Sequence, residues 1–463
     1  MKVPAGRLAV SLLLPALAAC TSTPRLLLPP LVCCTGPEST VIDVDIYTDC
    51  DPEDGPDWCI EYRPAGQGAW RRTHESKDGE VPLTGLEPGT RYEYRLRSRG
   101  NTLARGSFVT ARPPGEPFTF ALISDPHIYL HGFTPHELRL HPLAERTIRH
   151  YGSREEALWI RRQEGAYGRA MLPRVARLVR EARPDFLINL GDIIDLHGLG
   201  FNAPLPRPQV STDPIWPDRG FRDYRRLLGP LGSETTHFHV IGNWDGEKGC
   251  FTEQQRRLAR RIRLDLLPTP RRGAGPHRDY YAFRWGDALC VVLNVISYTG
   301  TEHTLREKED RGRADQFTLG QEQMAWLERT LAGSRAPFKF LFIHHTVGGR
   351  GGDEANSGYG RGGGRAARVG EQARVHELMR RHGVQVFFYG HDHVFTDMVV
   401  DGIHYTLPGS CGAPWKFGPK QTGYTRYWPA SGYGLVRVGK EKAEVTLISA
   451  DREVLHRYEV ERR

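Results

Sequence analysis

The sequence predicts a layered α/β domain preceded by a small all-β sandwich. Residues 39–112 contain short runs in which apolar and polar side chains alternate between turn residues, which is typical of a β-sandwich. Beyond residue 118, short apolar runs recur with helical segments between them, which is typical of buried strands in a layered α/β domain. Between the two parts, residues 112–117 read Arg-Pro-Pro-Gly-Glu-Pro, which breaks any regular element and predicts a linker.

The composition is that of an ordinary globular protein. The chain has 463 residues, of which 39% are hydrophobic and 25% charged, and this excludes disorder and collagen-like repeats. The 63 Lys and Arg residues outnumber the 55 Asp and Glu residues, and the net charge of +8 favours anionic ligands without requiring nucleic acid. Eight cysteines without a CxxC pair exclude a disulfide-built scaffold and give no sign of structural zinc.

Residues 1–19 have the pattern of a secretory signal peptide. Two basic residues precede an apolar stretch that is too short to span a bilayer as a helix. The stretch ends Leu-Ala-Ala-Cys20, which resembles a bacterial lipobox and implies that Cys20 is diacylated and becomes the new N-terminus. The alternatives are a plain secretory signal cut around Ala18 and an uncleaved anchor. We therefore expect an exported protein, periplasmic or on the cell surface, attached to the membrane through lipid alone.

Residues 20–38 are predicted to be a linker and residues 39–112 a β-sandwich. Within the sandwich, the run Leu-Glu-Pro-Gly-Thr-Arg-Tyr at 86–92 resembles the turn and tyrosine corner of a fibronectin type III module or of the N-terminal module of purple acid phosphatases. The motif is structural and carries no chemistry. Because export permits disulfides, we expect Cys50 to pair with Cys59, with two free thiols as the alternative.

The second domain is predicted to cover residues 118–459. Six apolar runs in it are short enough for buried strands: 118–123, 186–190, 238–241, 289–295, 338–343 and 386–389. Apolar residues at helical spacing predict helices at 169–182, 321–332 and 372–382. Residues 433–459 add three short alternating runs that close the sheet.

Five of the apolar runs end in residue types that bind metals. The motifs are Asp125-Pro126-His127, Gly191-Asp192-Ile193-Ile194-Asp195, Gly242-Asn243-Trp244-Asp245, His344-His345 and Gly390-His391-Asp392-His393. Loops that leave the carboxyl ends of strands converge on one edge of an α/β sheet, so we expect these side chains to share one cleft. Carboxylates together with imidazoles suit two divalent ions such as Mn, Fe, Zn or Ni. Two ions can clamp a phosphoryl group and generate the hydroxide that attacks it, which predicts phosphoester hydrolysis.

The ordered set DxH, GDxxD, GNxD, HH and GHxH resembles the calcineurin-like metallophosphoesterase family over about residues 118–455. The resemblance implies a β-sandwich flanked by helices, and the N-terminal module adds the layout of bacterial relatives of purple acid phosphatases. It also implies two metal sites that share Asp192 as a bridging ligand. The ligands of the first are Asp125, His127, Asp192 and His393, and those that complete the second are Asn243, His344 and His391. Among these residues, Asp192, Asn243 and His344 are expected to be catalytic as well.

Three neighbours of these ligands are expected to contact a ligand or the substrate. His345 competes with His344 as a ligand, and we prefer His344 because the family's ligand follows the strand directly, which leaves His345 as a donor to a ligand. Asp195 stands where purple acid phosphatases carry a tyrosine ligand, which argues against a purple iron centre and implies a carboxylate that orients a histidine. Trp244 stands where the family usually has a histidine that contacts the phosphate and can protonate the leaving group.

Without that histidine, the proton donor is unassigned. The other histidines that could serve are His131, His136, His197, His237 and His239, and none is distinguished by sequence. Trp244 could stack on an aromatic leaving group, with packing beside the cleft as the alternative. The long segment 130–159 is expected to roof the cleft. Arginines of the glycine-rich segment 348–365 could hold a remote phosphate, although solvated charge is the simpler interpretation.

The sequence thus predicts an exported, lipid-anchored hydrolase with two divalent ions that acts on phosphomonoesters or phosphodiesters. The alternative is a surface lipoprotein that retains metals, turns over weakly because of Trp244 and serves as a binding protein. Nucleic-acid binding is not expected, because the glycine-rich segment has only one aromatic residue, Tyr359. No obligate protein partner is evident.

Overall fold

A computed structural model describes ten stretches of the chain. They are residues 24–47, 58–73, 79–128, 154–194, 215–247, 253–271, 278–294, 319–344, 370–413 and 426–463. The expected signal peptide, Cys20, Cys50 and most of the segments 130–159 and 348–365 lie outside these stretches. Within them, no helix has the length and hydropathy to cross a bilayer.

The N-terminal module has seven strands. They are β1 (Arg25–Cys33), β2 (Ser39–Tyr47), β3 (Trp58–Pro64), β4 (Arg71–Thr73), β5 (Glu80–Thr84), β6 (Arg91–Ser98) and β7 (Asn101–Val109). One face pairs β1, β2 and β5, and the other is a sheet in the order β4-β3-β6-β7. Strict alternation along β6 turns Tyr92, Tyr94 and Leu96 into the core between the faces. The small all-β sandwich predicted at the N-terminus is therefore confirmed.

The tyrosine corner predicted at 86–92 is also present. The hydroxyl of Tyr92 accepts the main-chain N–H of Glu87 at 3.0 Å, and the Tyr92 ring stacks on Phe108. The bond fixes the entry into β6 against the turn before it. Cys59, the described partner of the expected disulfide, is buried on β3.

The prediction that residues 20–38 are a linker is wrong. Residues 25–33 form β1, which pairs antiparallel with β2 and parallel with a strand of the second domain. This strand contains prolines at 29 and 30, and prolines normally interrupt strands. Both lie within the register shift between Leu28 and Leu31, where the ladder does not need their missing N–H groups.

The second domain contributes thirteen strands in the described residues. They are β8 (Phe118–Ile123), β9 (Phe186–Asn189), β10 (Thr236–His239), β11 (Tyr281–Trp285), β12 (Ala288–Val292), β13 (Phe338–Phe342), β14 (Val386–Phe388), β15 (Phe395–Val400), β16 (Ile403–Pro408), β17 (Tyr427–Trp428), β18 (Gly432–Val438), β19 (Lys442–Ser449) and β20 (Val454–Glu461). The helices are α1 (Arg154–Glu181), α2 (Ile215–Leu228), α3 (Pro230–Glu234), α4 (Glu253–Leu266), α5 (Gly320–Ala332) and α6 (Gly370–Arg381). Every apolar run predicted as a strand is one, with shifts of up to three residues at the ends.

Together with β1, β2 and β5 of the N-terminal module, these strands form two sheets that face each other. The first has nine strands in the order β20-β19-β18-β8-β9-β10-β1-β2-β5, and the second has seven in the order β11-β12-β13-β14-β16-β15-β17. A layer of aromatic side chains fills the space between them, with Phe120 stacked on Phe186 at 4.9 Å and edge-on to Phe342 and Phe388 of the opposite sheet. Each such ring, once buried, contributes about 1.5–3 kcal/mol.

Helices cover the outer faces of both sheets. The apolar face of α1, with Leu172 and Val175, packs with Leu187 on the first sheet. Helices α5 and α6 pack on the second sheet through Leu327 and Val375. The result is the predicted β-sandwich flanked by helices. The parallel strands β8-β9-β10 and β12-β13-β14 bring their carboxyl ends to the same end of the sandwich.

Candidate metal centre

The residues predicted as metal ligands follow the carboxyl ends of five strands, three in the first sheet and two in the second. They are Asp125 and His127 after β8, Asp192 after β9, Asn243 after β10, His344 after β13, and His391 and His393 after β14. All seven are at least nine-tenths buried. The structure therefore brings together side chains that lie up to 268 residues apart, as the positions of Asp125 and His393 show.

The first group comprises Asp125, His127, Asp192 and His393, whose ligand atoms lie within 4.8 Å of one another. Nε2 of His393 lies 3.2 Å from Oδ1 of Asp125 and 3.1 Å from Nε2 of His127. Nε2 of His127 lies 3.5 Å from Oδ2 of Asp192. Two carboxylates and two imidazoles with converging lone pairs are a donor set for one borderline divalent ion.

The second group comprises Asp192, His344 and His391, again with ligand atoms within 4.8 Å of one another. Nε2 of His344 lies 3.1 Å from Oδ2 of Asp192, 3.3 Å from Nδ1 of His391 and 3.0 Å from Oδ1 of Asn243. The amide oxygen of Asn243 therefore adds a neutral donor to this group.

Asp192 belongs to both groups through one atom. Its Oδ1 accepts the main-chain N–H of Trp244 at 2.8 Å, whereas Oδ2 is buried and accepts no hydrogen bond from the described residues. Oδ2 lies near the imidazoles of both His127 and His344. A buried carboxylate oxygen without a donor is costly, and a bound cation would satisfy it.

Main-chain carbonyls set the orientation of two imidazoles. Nδ1 of His344 donates to the carbonyl of Leu190 at 2.8 Å, and Nδ1 of His393 donates to the carbonyl of Ala413 at 2.6 Å. Each bond places the ring hydrogen on the far nitrogen and turns Nε2 toward the carboxylates. This is the arrangement by which outer contacts hold metal-binding histidines.

The loops that carry the ligands are strained. Asp125, His127, Asp192, His391 and His393 all have φ between 42° and 79°, a left-handed conformation that is uncommon for residues with a Cβ. Such strain persists only where the surroundings hold the backbone in place, and it concentrates at functional sites.

Glycines before the ligands allow the loops to approach closely, as their positions in the sequence suggest. A Cβ on Gly191 would lie 2.7 Å from the main-chain N of Gly242 and 2.9 Å from Nδ1 of His344. A Cβ on Gly242 would overlap the main chain and Oδ1 of Asp192, and one on Gly390 would overlap Oγ of Ser124. Only Gly191 also has a positive φ, +99°, so close contact is the main reason for glycine here.

The electrostatics of the site suit cations. Burial disfavours charge on Asp125, but the neighbouring His393, His127 and His344 outweigh it and hold the pKa of Asp125 well below its usual range. Burial also opposes charge on His344, but the negative charge of Asp192 raises the pKa of His344 to about 9. Positive charge is therefore favoured next to these carboxylates, and a divalent ion can take the place of the proton.

Two residues that support the ligands had no role in the sequence prediction. Oδ1 of Asp245 accepts the N–H groups of Ile193 and Ile194 at 2.8 and 3.1 Å, and its Oδ2 accepts that of Gly242 at 2.8 Å. Burial and the charge of Asp192 raise the pKa of Asp245 to about 7. Its place in the GNxD motif was visible, but the backbone groups that it holds leave no mark in the sequence.

Ser410 is the second supporting residue. Its hydroxyl donates to the carbonyl of Asp125 at 2.8 Å and accepts the N–H of Ala413 at 2.6 Å. It links the loop after β8 to the loop after β16. The run Gly409 to Gly412 behind an apolar strand was the signal that could have identified it.

The other residues singled out in the sequence are placed as follows. Trp244 is half-buried beside His127, with the ring centroids 5.9 Å apart. Asp195 and His345 lie outside the described residues, as do His131, His136, His197, Arg350, Arg361 and Arg365.

Of the histidines considered as proton donors, His237 and His239 belong to the described residues, and both lie on β10 in the first sheet. His237 contacts the hydroxyl of Tyr224 at 2.8 Å, and burial and Arg225 lower the pKa of His237 to about 3, so at neutral pH it is not the imidazolium ion that a general acid requires. His239 lies 2.9 Å from Nη1 of the buried Arg263. Both are therefore structural residues of β10.

Comparisons with known proteins agree with this geometry. Residues 118–395 match the calcineurin-like phosphoesterase family, which is more than half of the chain. The solved structure of PhoD is 13% identical with a TM-score of 0.63, over 94% of this chain and 89% of PhoD. That of the purple acid phosphatase PPD1 from yellow lupin (Lupinus luteus) seeds is 13% identical with a TM-score of 0.60, over 94% of this chain and 74% of the other. No curated protein matches the chain.

The fold and the site define a metal-dependent hydrolase. The chain belongs to the calcineurin-like phosphoesterase family, and it is a metal-dependent phosphoesterase. At 13% identity the two solved structures establish the likeness of the fold alone, including the all-β module before the catalytic domain. The resemblance identified in the sequence is thereby confirmed.

Proposed function

We propose that this phosphoesterase is binuclear and hydrolyses phosphomonoesters or phosphodiesters. One observation carries the proposal: Oδ2 of Asp192 is buried without a hydrogen-bond donor in the described structure and lies 3.5 Å from Nε2 of His127 and 3.1 Å from Nε2 of His344. A carboxylate oxygen that is shared by two groups of donors is suited to bridging two ions. The mixed oxygen and nitrogen donors favour Mn, Fe, Zn or Ni.

The two sites would divide the ligands as the structure groups them. Asp125, His127 and His393 would hold the first ion, Asn243, His344 and His391 the second, and Asp192 both. When bound, two ions neutralise charge on the phosphoryl oxygens and make water a nucleophile at neutral pH. The chain supplies the carboxylate charge, the imidazoles fixed by the carbonyls of Leu190 and Ala413, and the burial that strengthens these interactions.

We also propose that the protein is exported and anchored through a diacylated Cys20. The support is the sequence alone, namely the basic and apolar residues 1–19 and the Leu-Ala-Ala-Cys ending. The N-terminal module is proposed to be fibronectin type III-like, supported by its seven strands in two faces and by the Tyr92 corner.

The test is ester hydrolysis by protein that starts after Cys20, stripped with a chelator and reconstituted with Mn. Asp192→Asn is compared with Asp451→Asn, which changes an exposed carboxylate paired with Arg174 at the surface. We expect wild type and Asp451→Asn to bind two ions and hydrolyse activated mono- and diesters. Asp192→Asn is expected to bind fewer ions and lose turnover by about 10²-fold or more, with its far-UV circular dichroism unchanged.

Two results would overturn the proposal. Full turnover in Asp192→Asn would exclude the bridging role. Metal bound at two sites without turnover of any ester would favour the alternative in which this surface protein binds and does not catalyse.

A further inference from the structure

The main chain of Trp244 contacts Asp192, the residue that belongs to both ligand groups. Its N–H donates to Oδ1 of Asp192 at 2.8 Å, and it directly follows the ligand Asn243. Its position is therefore fixed by the backbone, and a substitution of the side chain does not remove this bond. The ring lies edge-on to the imidazole of His127, with centroids 5.9 Å apart and planes inclined at 69°.

The burial of Trp244 differs from that of its neighbours. Asn243 and Asp245 on either side are buried, whereas Trp244 retains part of its surface. A partly buried aromatic ring that lies beside the imidazole of His127 forms part of the wall beside the reacting centre. A phosphoryl group held by the two ligand groups would bring its leaving group within the reach of this wall.

The indole cannot perform proton transfer. Its N–H is a hydrogen-bond donor but far too weak an acid to protonate a departing oxygen. In the described part of the chain, His237 and His239 are held inside the first sheet by Tyr224 and Arg263 and do not replace it. Because Trp244 itself supplies no proton, departure beside it is fastest for a leaving group that is stable as an anion.

We propose that Trp244 is a specificity-determining residue that selects phosphoesters with an aromatic, weakly basic leaving group. The inference rests on the proposed function and names its substrate class. In the step, a water oxygen forms a bond to phosphorus as the bond from phosphorus to the aryl oxygen breaks. The electron pair stays on the aryl oxygen, which leaves as an aryloxide, and the proton of the water passes to solvent. Stacking on the indole favours the planar ring over an alkyl group of the same acidity.

The kinetic test compares phenyl esters with hexafluoroisopropyl esters, whose leaving alcohols have similar acidity but differ in shape. Wild type is compared with Trp244→Phe, Trp244→Leu and Trp244→His. The esters are monoesters or diesters, whichever wild type hydrolyses faster. Trp70→Leu is the matched control, because Trp70 lies on the N-terminal module between Arg63 and Arg95 at 4.4 and 4.2 Å.

We expect Trp244→Leu to lower kcat/KM for the phenyl ester by about two- to tenfold and to leave the hexafluoroisopropyl ester almost unchanged. Trp244→Phe retains most of the preference, and Trp70→Leu all of it. Trp244→His weakens the dependence of the rate on leaving-group acidity, because it supplies a proton donor. Equal loss on both esters in Trp244→Leu, or no loss on either, would overturn the inference.

Binding provides a readout that does not depend on turnover. Phenylphosphonate and methylphosphonate are not hydrolysed, and their affinities are measured by titration calorimetry. Wild type is expected to prefer phenylphosphonate, and Trp244→Leu to lose this preference by about the same factor as in kinetics. Absence of turnover on every ester in wild type would defeat the proposed function. Turnover with no preference for the aryl group would defeat this inference alone.

Discussion

Oδ1 of Asp245 accepts the main-chain N–H of Ile193 at 2.8 Å. The bond joins the loop after β10 to the loop after β9, next to the carboxylate that belongs to both ligand groups. Asp245 thus holds the loop that carries Asp192 through the peptide N–H of the residue that follows Asp192.

Asp245→Asn should weaken metal binding. The asparagine keeps one acceptor oxygen, but an NH₂ group replaces the other. Because NH₂ cannot accept a hydrogen bond, either the N–H of Gly242 or those of Ile193 and Ile194 lose their acceptor. We expect about 10- to 100-fold lower metal affinity, measured by competition with a chromophoric chelator, and a parallel fall in ester hydrolysis. Asp451→Asn is the matched control, and wild-type affinity in Asp245→Asn would show that the loop is held by other contacts.

Gly242→Ala should destabilise the protein and distort the site. The new Cβ would overlap the main-chain N and Oδ1 of Asp192. We expect the free energy of unfolding to fall by about 1–3 kcal/mol or more, measured by urea denaturation, together with loss of metal binding. In the control Gly36→Ala, the Cβ meets only Oγ of Ser39 at 3.6 Å, and the change should be small. Equal effects of the two substitutions would contradict the close packing of the loops.

The stability should depend on pH through His237. Nδ2 of Asn189 donates to the hydroxyl of Tyr224 at 2.8 Å, and that hydroxyl donates to Nε2 of His237, which must be neutral. Burial, with the charge of Arg225, lowers the pKa of His237 from 6.5 to about 3. The unfolded chain therefore binds the proton first, and the contribution of His237 is complete above pH 6.5 and lost as the pH falls toward 3.

The expected slope is up to about 1.4 kcal/mol per pH unit within this window. His237→Gln can still accept the Tyr224 hydroxyl but binds no proton, so its free energy of unfolding should vary less with pH over the same range. Urea denaturation of both proteins at several pH values measures the difference. Parallel curves would indicate that His237 is protonated in the folded state.

Arg225→Met should strongly destabilise the junction between the two domains. The buried guanidinium of Arg225 bonds to the carboxylate of Asp43 and donates to the carbonyl of Pro29 at 2.8 Å. Its removal leaves the Asp43 carboxylate buried and unpaired, at a cost of about 3–5 kcal/mol in denaturation experiments. The double substitution Arg225→Met with Asp43→Val should recover much of this loss. Arg174→Met, which breaks an exposed pair with Asp451, should cost less than about 1 kcal/mol.

The fold was predictable where a short stretch of sequence carries the pattern of apolar or turn residues that its structure requires. Apolar runs such as 118–123 and 338–343 are strands because both faces of each are largely buried, and all but one residue of each run is apolar. The tyrosine corner was predictable because Tyr92 and the turn before it lie within one short run. Strand β1 was not, because Pro29 and Pro30 argue against a strand and the register shifts that accommodate them arise from pairing with β2.

The clustering of the predicted ligands could be foreseen for a related reason. Each ligand follows a strand, so Asp192 and His344 could be placed at one edge before their distance was known. The contacts that orient the ligands could not be predicted, because the carbonyl of Leu190 and the amides of Ile193 and Gly242 belong to the backbone. Every residue carries such groups, so the sequence does not distinguish the ones that act.

Because β1 lies between β10 and β2, the folded catalytic domain and the family match begin at different residues. The family match begins at residue 118, yet the sheet that carries Asp125, Asp192 and Asn243 continues through a strand made of residues 25–33. Excision of the catalytic domain at residue 118 would expose the edge of β10, the strand that leads to Asn243, and would strip Arg225 of its partner. The smallest part of this enzyme that we expect to fold by itself therefore includes β1 and is larger than residues 118–395, which match the family.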